Sequence, residues 1–490
     1  MAVYKAPVKI VSLFSVYDYN AERLNDPLDL PPIECNITQS VPIDCNILTI
    51  PTTDCHVTQS VPIDCNILTI PTTNCNIVSS TTLQCSLGQG VYFYSDSFGR
   101  QKTVEPATIF AFKHIYAEDT LTFDTQITNS GGTGTSVYSI NEAKIRLQCA
   151  GSSTIIRQTY QYFNYNPGVS QLILITGIFG EGNNTTTTKT WGYGDAKNGL
   201  FFKLKNGILN TCIRSYSTGV AVDTDVAQTS FSNNPLPNTS ILDVTKMNIY
   251  FIEFGWLGIA TVNFGILKDG QQIILDSRKN ENSLTKVYMS TPNLPIHYKI
   301  QNTGVETSYM DCVCCAVESQ GPVVTFGTFH TVNSFPSSVS GFSVSNTQTN
   351  TYYPLIGIKC NKDGLQVVIT SISIVNSGSS NPFEWLLILN PTLSGGAFSI
   401  NLTTTNSNIL YGNQPVGNGG AGSTTVALAN LGTVLQGGVG VNNTVVGDHG
   451  IAPNLRMGKS IAGVYDIIYL VIRCTGGTNL FYANLEYNEF

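Results

Sequence analysis

Charged residues are scarce in this sequence. Only 12% of its 490 residues are Asp, Glu, Lys or Arg, against about 25% in an average globular protein. The net charge is −7, and no dense run of Lys and Arg occurs. Because nucleic-acid binding depends on clustered cations that displace phosphate counterions, we expect no nucleic-acid partner. A surface with few long, flexible charged side chains is instead typical of one that packs against neighbouring subunits.

Long apolar runs are missing as well. The segments 172–179 and 467–472 have the length of strands, whereas a membrane-spanning helix needs roughly 18 apolar residues. The apolar run at 10–14 is shorter than the core of a signal peptide, and no small-residue cleavage site follows it. We therefore expect synthesis in a cytosol and no membrane insertion.

Motifs for catalysis and metal binding are also missing. The five histidines occur in no metal-binding spacing such as HExxH, and the chain has neither a GxSxG elbow nor a P-loop. No local pair of carboxylates suggests glycoside hydrolysis. The sequence therefore predicts a protein that is not an enzyme, with no catalytic residue, no cofactor and no metal ligand. His449, in the segment GDHG, is better explained by a turn than by a site.

A cysteine cluster, CVCC at 312–315, has two interpretations. One is a metal or redox site, and the other is a buried apolar strand. We favour the strand, because the cluster lacks the two-residue gap of zinc-binding pairs and has no nearby histidine. Strand alternation then predicts Cys312 and Cys314 on one face and Cys315 on the other.

A ten-residue repeat is the most regular feature near the N-terminus. Its cysteines recur at a spacing of ten, at Cys35, Cys45, Cys55, Cys65, Cys75 and Cys85. Within a decad the residues alternate, with Ile33 and Cys35 on one face and Glu34 on the other, which indicates a strand. Each decad is thus predicted to be one short strand and one turn. The strands would stack as a meander or a solenoid-like strip, with the cysteines aligned on its buried face.

Three interpretations are open for these cysteines. They are small buried hydrophobic residues, disulfides formed outside a reducing compartment, or zinc ligands. We rank them in that order, because zinc needs four converging ligands, usually from C-x₂₋₄-C pairs, and His56 falls on the polar face. Since a narrow strip has open edges that invite pairing with another chain, we expect residues 1–90 to dock on a neighbouring subunit.

The rest of the chain reads as a succession of short strands and turns. Asn206-Gly207 and Asp269-Gly270 each separate two strand-like segments, and both dipeptides accept the positive φ angles of type I′ hairpin turns. No helical periodicity extends over ten or more residues. These features predict an all-β fold with jelly-roll-like β-sandwich domains. We divide the chain into an N-terminal arm, the cysteine repeat and two β-sandwich domains, at 1–31, 32–90, 91–320 and 321–490.

Two tryptophans lie in segments of interest for ligand binding. Trp256 belongs to the apolar segment 251–265, where we predict the anchor of a core strand, with an aromatic platform for a sugar as the alternative. Trp191 ends the predicted loop 180–191, which together with the Gly/Asn-rich region 411–443 could carry a ligand site on a rigid scaffold. A glycan site there would be lost in Trp191→Ala.

A series of short motifs resembles β-rich virion proteins of large double-stranded DNA viruses and some tailed phages. The motifs include NGLFFKLKNG, CIRSYSTG and MSTPNLPIHYKI, and they lie at 198–207, 212–219, 226–236, 241–265 and 289–300. The segment 464–490 is similar in kind to the last strands of such proteins. In that pattern, WLG is often followed by a second glycine and then a basic residue, where this chain has Ala260 and Asn263. The resemblance implies a minor capsid or surface component and no catalytic residue.

The sequence thus predicts a structural component of a virus particle, a minor capsid or cement protein assembled in the host cytoplasm. Its partners would be other capsid proteins and copies of itself. The alternative is a fibre or spike protein that binds a receptor or a glycan through its loops.

Overall fold

The computed structural model describes residues 96–490 with short gaps, and the backbone of eight short strands before residue 96. The gaps in 96–490 are 101, 103–104, 181–184, 234–241, 324–326, 335–340, 346–349, 378–380, 396–397, 405, 414–417, 420–423, 442–444, 449–456 and 475. The predicted arm at 1–31 and the turn at His449 lie outside the described residues.

The cysteine repeat forms parallel strands whose period is twenty residues. Its strands are β1 (Cys35–Gln39), β2 (Ile43–Cys45), β3 (Leu48–Thr49), β4 (Cys55–Gln59), β5 (Ile63–Cys65), β6 (Leu68–Thr69), β7 (Cys75–Ser79) and β8 (Gln84–Cys85). They pair in the orders β1-β4-β7, β2-β5-β8 and β3-β6. Parallel pairing corresponds to a solenoid-like strip and not to a meander.

The cysteines of this repeat form two ladders. Cys35 is paired with Cys55 and Cys55 with Cys75, whereas Cys45 is paired with Cys65 and Cys65 with Cys85. The prediction of a single row is wrong, because a parallel pair needs a connection longer than one turn, so one coil takes two decads. The cysteine side chains lie outside the described residues, and their chemical state and the docking of residues 1–90 stay predictions.

Residues Tyr94–Phe490 form one compact unit that contains two β-sandwiches. The first sandwich consists of β9 (Ala107–Lys113), β10 (Phe123–Asn129), β11 (Thr133–Ser139), β12 (Lys144–Ala150), β13 (Ser153–Thr159), β14 (Gln171–Ile178), β15 (Thr187–Gly194), β16 (Gly199–Lys205), β17 (Ile208–Ser215), β18 (Val222–Ala227), β19 (Asn248–Phe254), β20 (Val262–Lys268), β21 (Gln271–Arg278), β22 (Ile296–Asn302) and β23 (Thr307–Ser319). A seven-stranded sheet has the order β10-β13-β22-β15-β16-β17-β18. The facing sheet has the order β11-β12-β23-β14-β19-β20-β21, with β9 also paired to β23.

The second sandwich follows the same plan. It consists of β24 (Thr328–Asn333), β25 (Phe342–Ser345), β26 (Thr351–Cys360), β27 (Val367–Asn376), β28 (Phe383–Leu389), β29 (Ile409–Asn413), β30 (Asn418–Gly419), β31 (Val426–Ala427), β32 (Thr433–Gly440), β33 (Val445–Asp448), β34 (Ile467–Cys474) and β35 (Thr478–Glu489). Its sheets have the orders β30-β25-β35-β27-β33 and β29-β26-β34-β28-β32. In the second sandwich the sheet neighbours are not consecutive in sequence, whereas the first also contains runs of consecutive strands, β15–β18 and β19–β21. The all-β fold with β-sandwiches is confirmed, while the boundary at 320/321 stays a prediction.

Both hairpin predictions are confirmed. Asn206 and Gly207 connect β16 to β17 with φ angles of 51° and 74°, and Asp269 and Gly270 connect β20 to β21 with φ angles of 52° and 75°. Positive φ at both central residues is the requirement of a type I′ turn, whose twist matches that of the strands. Local turn chemistry therefore fixes the register of these two strand pairs.

The cysteine cluster at 312–315 is part of β23, and its predicted facing is wrong. Cys312 and Cys315 are both buried in the core of the first sandwich, while Cys314 is half-buried. The pairing with β14 shifts register at Val313, so that Thr176 lies opposite Cys314 and Gly177 opposite Cys312. Such a bulge inserts one residue and reverses the alternation. The strand interpretation of the cluster holds.

The two sandwiches contact each other through hydrogen bonds donated by backbone amides. Lys459 N donates a hydrogen bond to Tyr160 O at 2.9 Å, and Ile461 N donates to Asp124 Oδ2 at 2.7 Å. Gly458 lies against Tyr160, where a β-carbon would come within 2.5 Å of the carbonyl carbon. The interface thus has no room for a side chain at residue 458.

Asp363 adds an ionic contact to this interface. Its carboxylate accepts hydrogen bonds from Lys197 Nζ at 2.8 Å, Lys459 Nζ at 2.5 Å and Tyr465 Oη at 2.6 Å. Burial raises the pKa of Asp363, but the hydrogen bonds from the two lysines outweigh it and hold the pKa well below its usual value. Lys197 belongs to the first sandwich, so the carboxylate joins the two. No helix among the described residues has the length and apolar character needed to cross a bilayer.

Candidate functional site

The outer face of the seven-stranded sheet carries an unusual number of polar side chains. In β22, for example, Tyr298 and Ile300 point into the core, so His297 and Lys299 lie on the opposite face. The strand register places the outer side chains in two adjacent rows. One row is Asp124, Gln158, His297, Gly192, Phe201, Cys212 and Asp225, and the next is Gln126, Ile156, Lys299, Thr190, Lys203, Asn210 and Ala227. We call these two rows, with Arg214 and Asp223 beside them, the outer sheet face.

An ion cluster occupies one side of the outer sheet face. Lys203 Nζ is 2.8 Å from Asp223 Oδ2 and 2.7 Å from Asp225 Oδ1, while Arg214 Nε is 2.7 Å from Asp223 Oδ1. The pKa of Asp223 is well below its usual value: burial raises it, but the hydrogen bonds from Arg214 and Lys203 outweigh that effect. Asp223 is therefore ionised, and both acids are paired with these two cations.

The same acids and Cys212 could be mistaken for a metal site. Their ligand atoms lie within 4.8 Å of one another. However, the Lys203 ammonium already stands between the two carboxylates, and burial raises the pKa of the Cys212 thiol. Because metal ligation requires the thiolate, this set of donors is better explained as an ion cluster.

His297 belongs to a chain of oriented hydrogen bonds. Tyr162 Oη donates to Asp195 Oδ2 at 3.2 Å, and Gln158 donates its amide to Tyr162. The Gln158 amide oxygen therefore faces His297 Nδ1, 3.1 Å away, and can only accept. In neutral His297 this arrangement places the proton on Nδ1 and leaves Nε2 as an acceptor. Burial, with the nearby Arg214 and Lys299 charges, lowers the pKa of His297 to about 3, so the ring is neutral.

Lys299 is the one cation of the outer sheet face with no ionic partner among the described residues. It is half-buried in the middle of β22, flanked by Ile156 on β13 and Thr190 on β15. No described residue forms a hydrogen bond or ion pair with it. Burial lowers the pKa of Lys299, and the charges of Arg214 and Lys203 lower it further. The ammonium thus lies near two like charges and one opposite charge, that of Asp223, which raises its pKa.

An open cleft lies elsewhere on the first sandwich, beside the β19–β20 connection. Its volume is about 620 Å³, and its lining is Ser97, Phe98, Gly99, Leu257, Ile259, Ala260, Thr261 and Glu281. Leu257 and Ile259 are exposed aliphatic side chains, whereas the Glu281 carboxylate accepts a hydrogen bond from Thr261. The cleft therefore offers mostly apolar surface, with Glu281 as the one charged residue of its lining.

The two tryptophans considered for ligand binding do not lie in the elements that the sequence predicts for them. Trp191 is not in a loop: it lies in β15, is fully buried and stacks on Phe179 with ring centroids 3.7 Å apart. Trp256 lies in the β19–β20 connection rather than in a strand, half-buried, with Nε1 donating to Met289 O at 3.1 Å. Positive φ angles at Leu257 and Gly258 form the turn that ends the predicted strand. Both rings anchor the fold, and neither is an open platform for a sugar.

The outer sheet face is absent from the sequence-based candidates. Lys203, Asp223 and Lys299 are separated by long stretches of chain, and only the strand register brings them together. A partial signal was available in the alternation of FFKLK, which puts Phe201 and Lys203 on one face. The candidate region 411–443 contains strand β32 as well as connections.

Comparisons with known proteins give no family. No family model matches the chain, and no curated protein matches it. Among solved structures, the receptor-binding domain of a botulinum neurotoxin mosaic serotype C/D is 9% identical, with a TM-score of 0.27 over 43% of this chain and 47% of that one, so the chain spans about half of its length. A lectin from Bauhinia forficata in complex with GalNAc is also 9% identical, with a TM-score of 0.28 over 43% and 97% of the two chains. The exoplasmic/lumenal domain of VIP36 is 9% identical, with a TM-score of 0.28 over 45% and 95%. Such low identities and TM-scores carry no argument about function, so the glycan-binding proposal below rests on the outer sheet face.

Proposed function

We propose that this protein is a non-catalytic binding protein that holds a glycan, such as that of a receptor, on its outer sheet face. The observation that supports the proposal is the set of amide, hydroxyl, imidazole and guanidinium groups that the strand register places side by side. Sugar hydroxyls donate and accept hydrogen bonds, and convergent polar groups on a rigid scaffold recognise them. This is the alternative function considered from the sequence, moved from the loops to the sheet.

The internal hydrogen bonds of the face favour this function. Gln158 and His297 are held in fixed orientations by Tyr162 and Asp195, so little side-chain entropy would be lost on binding. Arg214 donates to both carboxylate oxygens of Asp223 and to Asp195 O, so its position over Phe201 is fixed as well. The ligand would meet groups that are already arranged.

A glycan array probed with the full chain tests the proposal, together with two matched arginine variants. Arg214 pairs with Asp223 and lies over Phe201 at 5.2 Å, and Arg473 of the second sandwich pairs with Glu384 and lies over Tyr352 at 5.0 Å. We expect binding of at least one glycan, weakened roughly tenfold by Arg214→Ala and unchanged by Arg473→Ala. Silence of the wild-type protein on the array, or equal losses in both variants, would contradict the proposal.

We further propose that the protein is carried on a virus particle. The support is the resemblance of its motifs to β-rich virion proteins and its low charge. Quantitative mass spectrometry of nuclease- and protease-washed particles should find a fixed copy number per major capsid protein. Loss of the protein on washing would remove this part of the proposal and leave the glycan site to be tested on the free protein.

A further inference from the structure

The cysteine repeat presents two open ends. Its sheets have the orders β1-β4-β7 and β2-β5-β8, so β1 and β2 lie at one end, and β7 and β8 lie at the other. Among the described residues, each of these end strands is paired on one side only. The backbone N–H and C=O groups on its other side are a template for one more strand.

Another copy of the same repeat fits these ends. Residues 35–54 and 55–74 differ at three positions, and their strands already pair in parallel and in register within one chain. The end strands β1 and β7 both begin with Cys-Asn-Ile, whereas β4 between them begins with Cys-His-Val. Pairing β7 of one copy with β1 of the next would therefore repeat the pairing inside the chain, with Asn76 opposite Asn36 of the next copy.

The acidic residues of the repeat favour this head-to-tail order. Asp44 and Asp64 occupy neighbouring register positions in β2 and β5, about 5 Å apart, and like charges at neighbouring positions oppose pairing. The corresponding position in β8 is Gln84. When β8 of one copy meets β2 of the next, an amide rather than a third carboxylate stands beside Asp44, and an amide can donate to a carboxylate.

We infer that the cysteine repeat of one copy stacks head to tail on the repeat of a second copy, β7 against β1 and β8 against β2. This inference is independent of the proposed glycan site. Joining two like ends through a two-fold axis would instead make the strands antiparallel, unlike every described pair of the repeat. Because a head-to-tail contact leaves one end free on each side, further copies can add, and the mean mass should rise with protein concentration.

Charges placed at the two ends test this junction in the full-length protein. The double variant Asn36→Lys with Asn76→Lys puts like charges across every junction, and Asn36→Glu with Asn76→Glu does the same with acids. Within one chain, His56 of β4 separates the two positions, so neither variant places its new charges side by side in the repeat itself. The two variants are matched controls for each other, since they differ only in the sign of the charge.

Sedimentation velocity of wild type, of each variant and of an equimolar mixture gives the readout, with a reductant present so that disulfides between copies do not contribute. We expect wild type to associate and each variant alone to associate about tenfold more weakly or less. The mixture should recover the association of wild type, because opposite charges then meet at every junction, and this recovery shows that both variants are folded. A wild type that stays monomeric at every concentration would overturn the inference. So would a variant that associates alone as wild type does, or a mixture that associates no better than its components.

Discussion

Replacing Gly458 by alanine should separate the two sandwiches. Residue 458 has no positive φ angle, so alanine is acceptable to the backbone, and the cost is steric. A β-carbon there would lie 2.5 Å from Tyr160 C and 2.9 Å from Tyr160 Cβ, and closer still to Tyr160 O. The contact must open, and the adjacent hydrogen bond from Lys459 N to Tyr160 O, now 2.9 Å, would be strained or lost.

The expected cost follows from these two contacts. Overpacking a tight contact costs about 1–3 kcal/mol, and one hydrogen bond contributes about 0.5–1.5 kcal/mol. Together they lower the free energy of unfolding by about 2–4 kcal/mol. For a domain of roughly 150–250 residues, this loss should lower the melting temperature by about 5–10 °C. Differential scanning calorimetry of the full chain measures this shift and shows whether one transition splits into two.

Gly476→Ala is the control for this experiment. The nearest atom to its added β-carbon, Asn381 Oδ1, is 3.5 Å away, an ordinary contact. We expect this variant to melt within about 1 °C of wild type, since surface changes away from tight contacts have little effect on stability. If Gly458→Ala melts at the same temperature as Gly476→Ala, the interface is not the tight contact described.

Three further predictions concern the first sandwich. Trp191→Ala removes a fully buried ring that stacks on Phe179, so urea unfolding should show a loss of about 3–5 kcal/mol, and unchanged stability would contradict the burial. Asp311→Ala removes the 2.8 Å partner of the nearly buried Lys144 and the partner of Arg146. The free energy of unfolding should fall by about 2–3 kcal/mol in the same assay. A loss below about 0.5 kcal/mol would refute the stabilising role of these ion pairs. Burial raises the pKa of Asp311, but the hydrogen bonds from Arg146 and Lys144 outweigh this effect, and the pKa is lowered in the folded protein. The ionised Asp311 therefore contributes its full stabilisation above about pH 4, the usual carboxyl pKa in unfolded chains. This stabilisation is lost as the pH falls through the lower pKa of the folded state. Thermal melts from pH 7 to pH 3 should therefore fall less steeply for Asp311→Asn than for wild type, and parallel curves would count against this linkage.

Much of the fold follows from local sequence. Asn206-Gly207 and Asp269-Gly270 specify their hairpins because the turn conformation depends on two residues alone. Period-two alternation identifies the strands, and the lack of helical periodicity excludes long helices. These signals need no knowledge of which strands become neighbours.

Features that depend on pairing were not predictable in this way. A bulge at Val313 changes which cysteines face the core, and it arises from the register between β23 and β14. Trp191 follows a polar threonine-rich stretch that resembles a loop, yet pairing with β16 and β22 makes it the centre of a strand. The outer sheet face depends on register across seven strands, so its residues carry no joint signal in the sequence.

The central claim is that the outer sheet face holds a glycan. The most direct measurement is a crystal structure of the full chain with the glycan that binds best on the array. We predict that the sugar lies across β22, β15 and β16, within hydrogen-bond distance of Lys299 and His297. A sugar bound in the cleft beside Leu257, or on the second sandwich, would contradict the account.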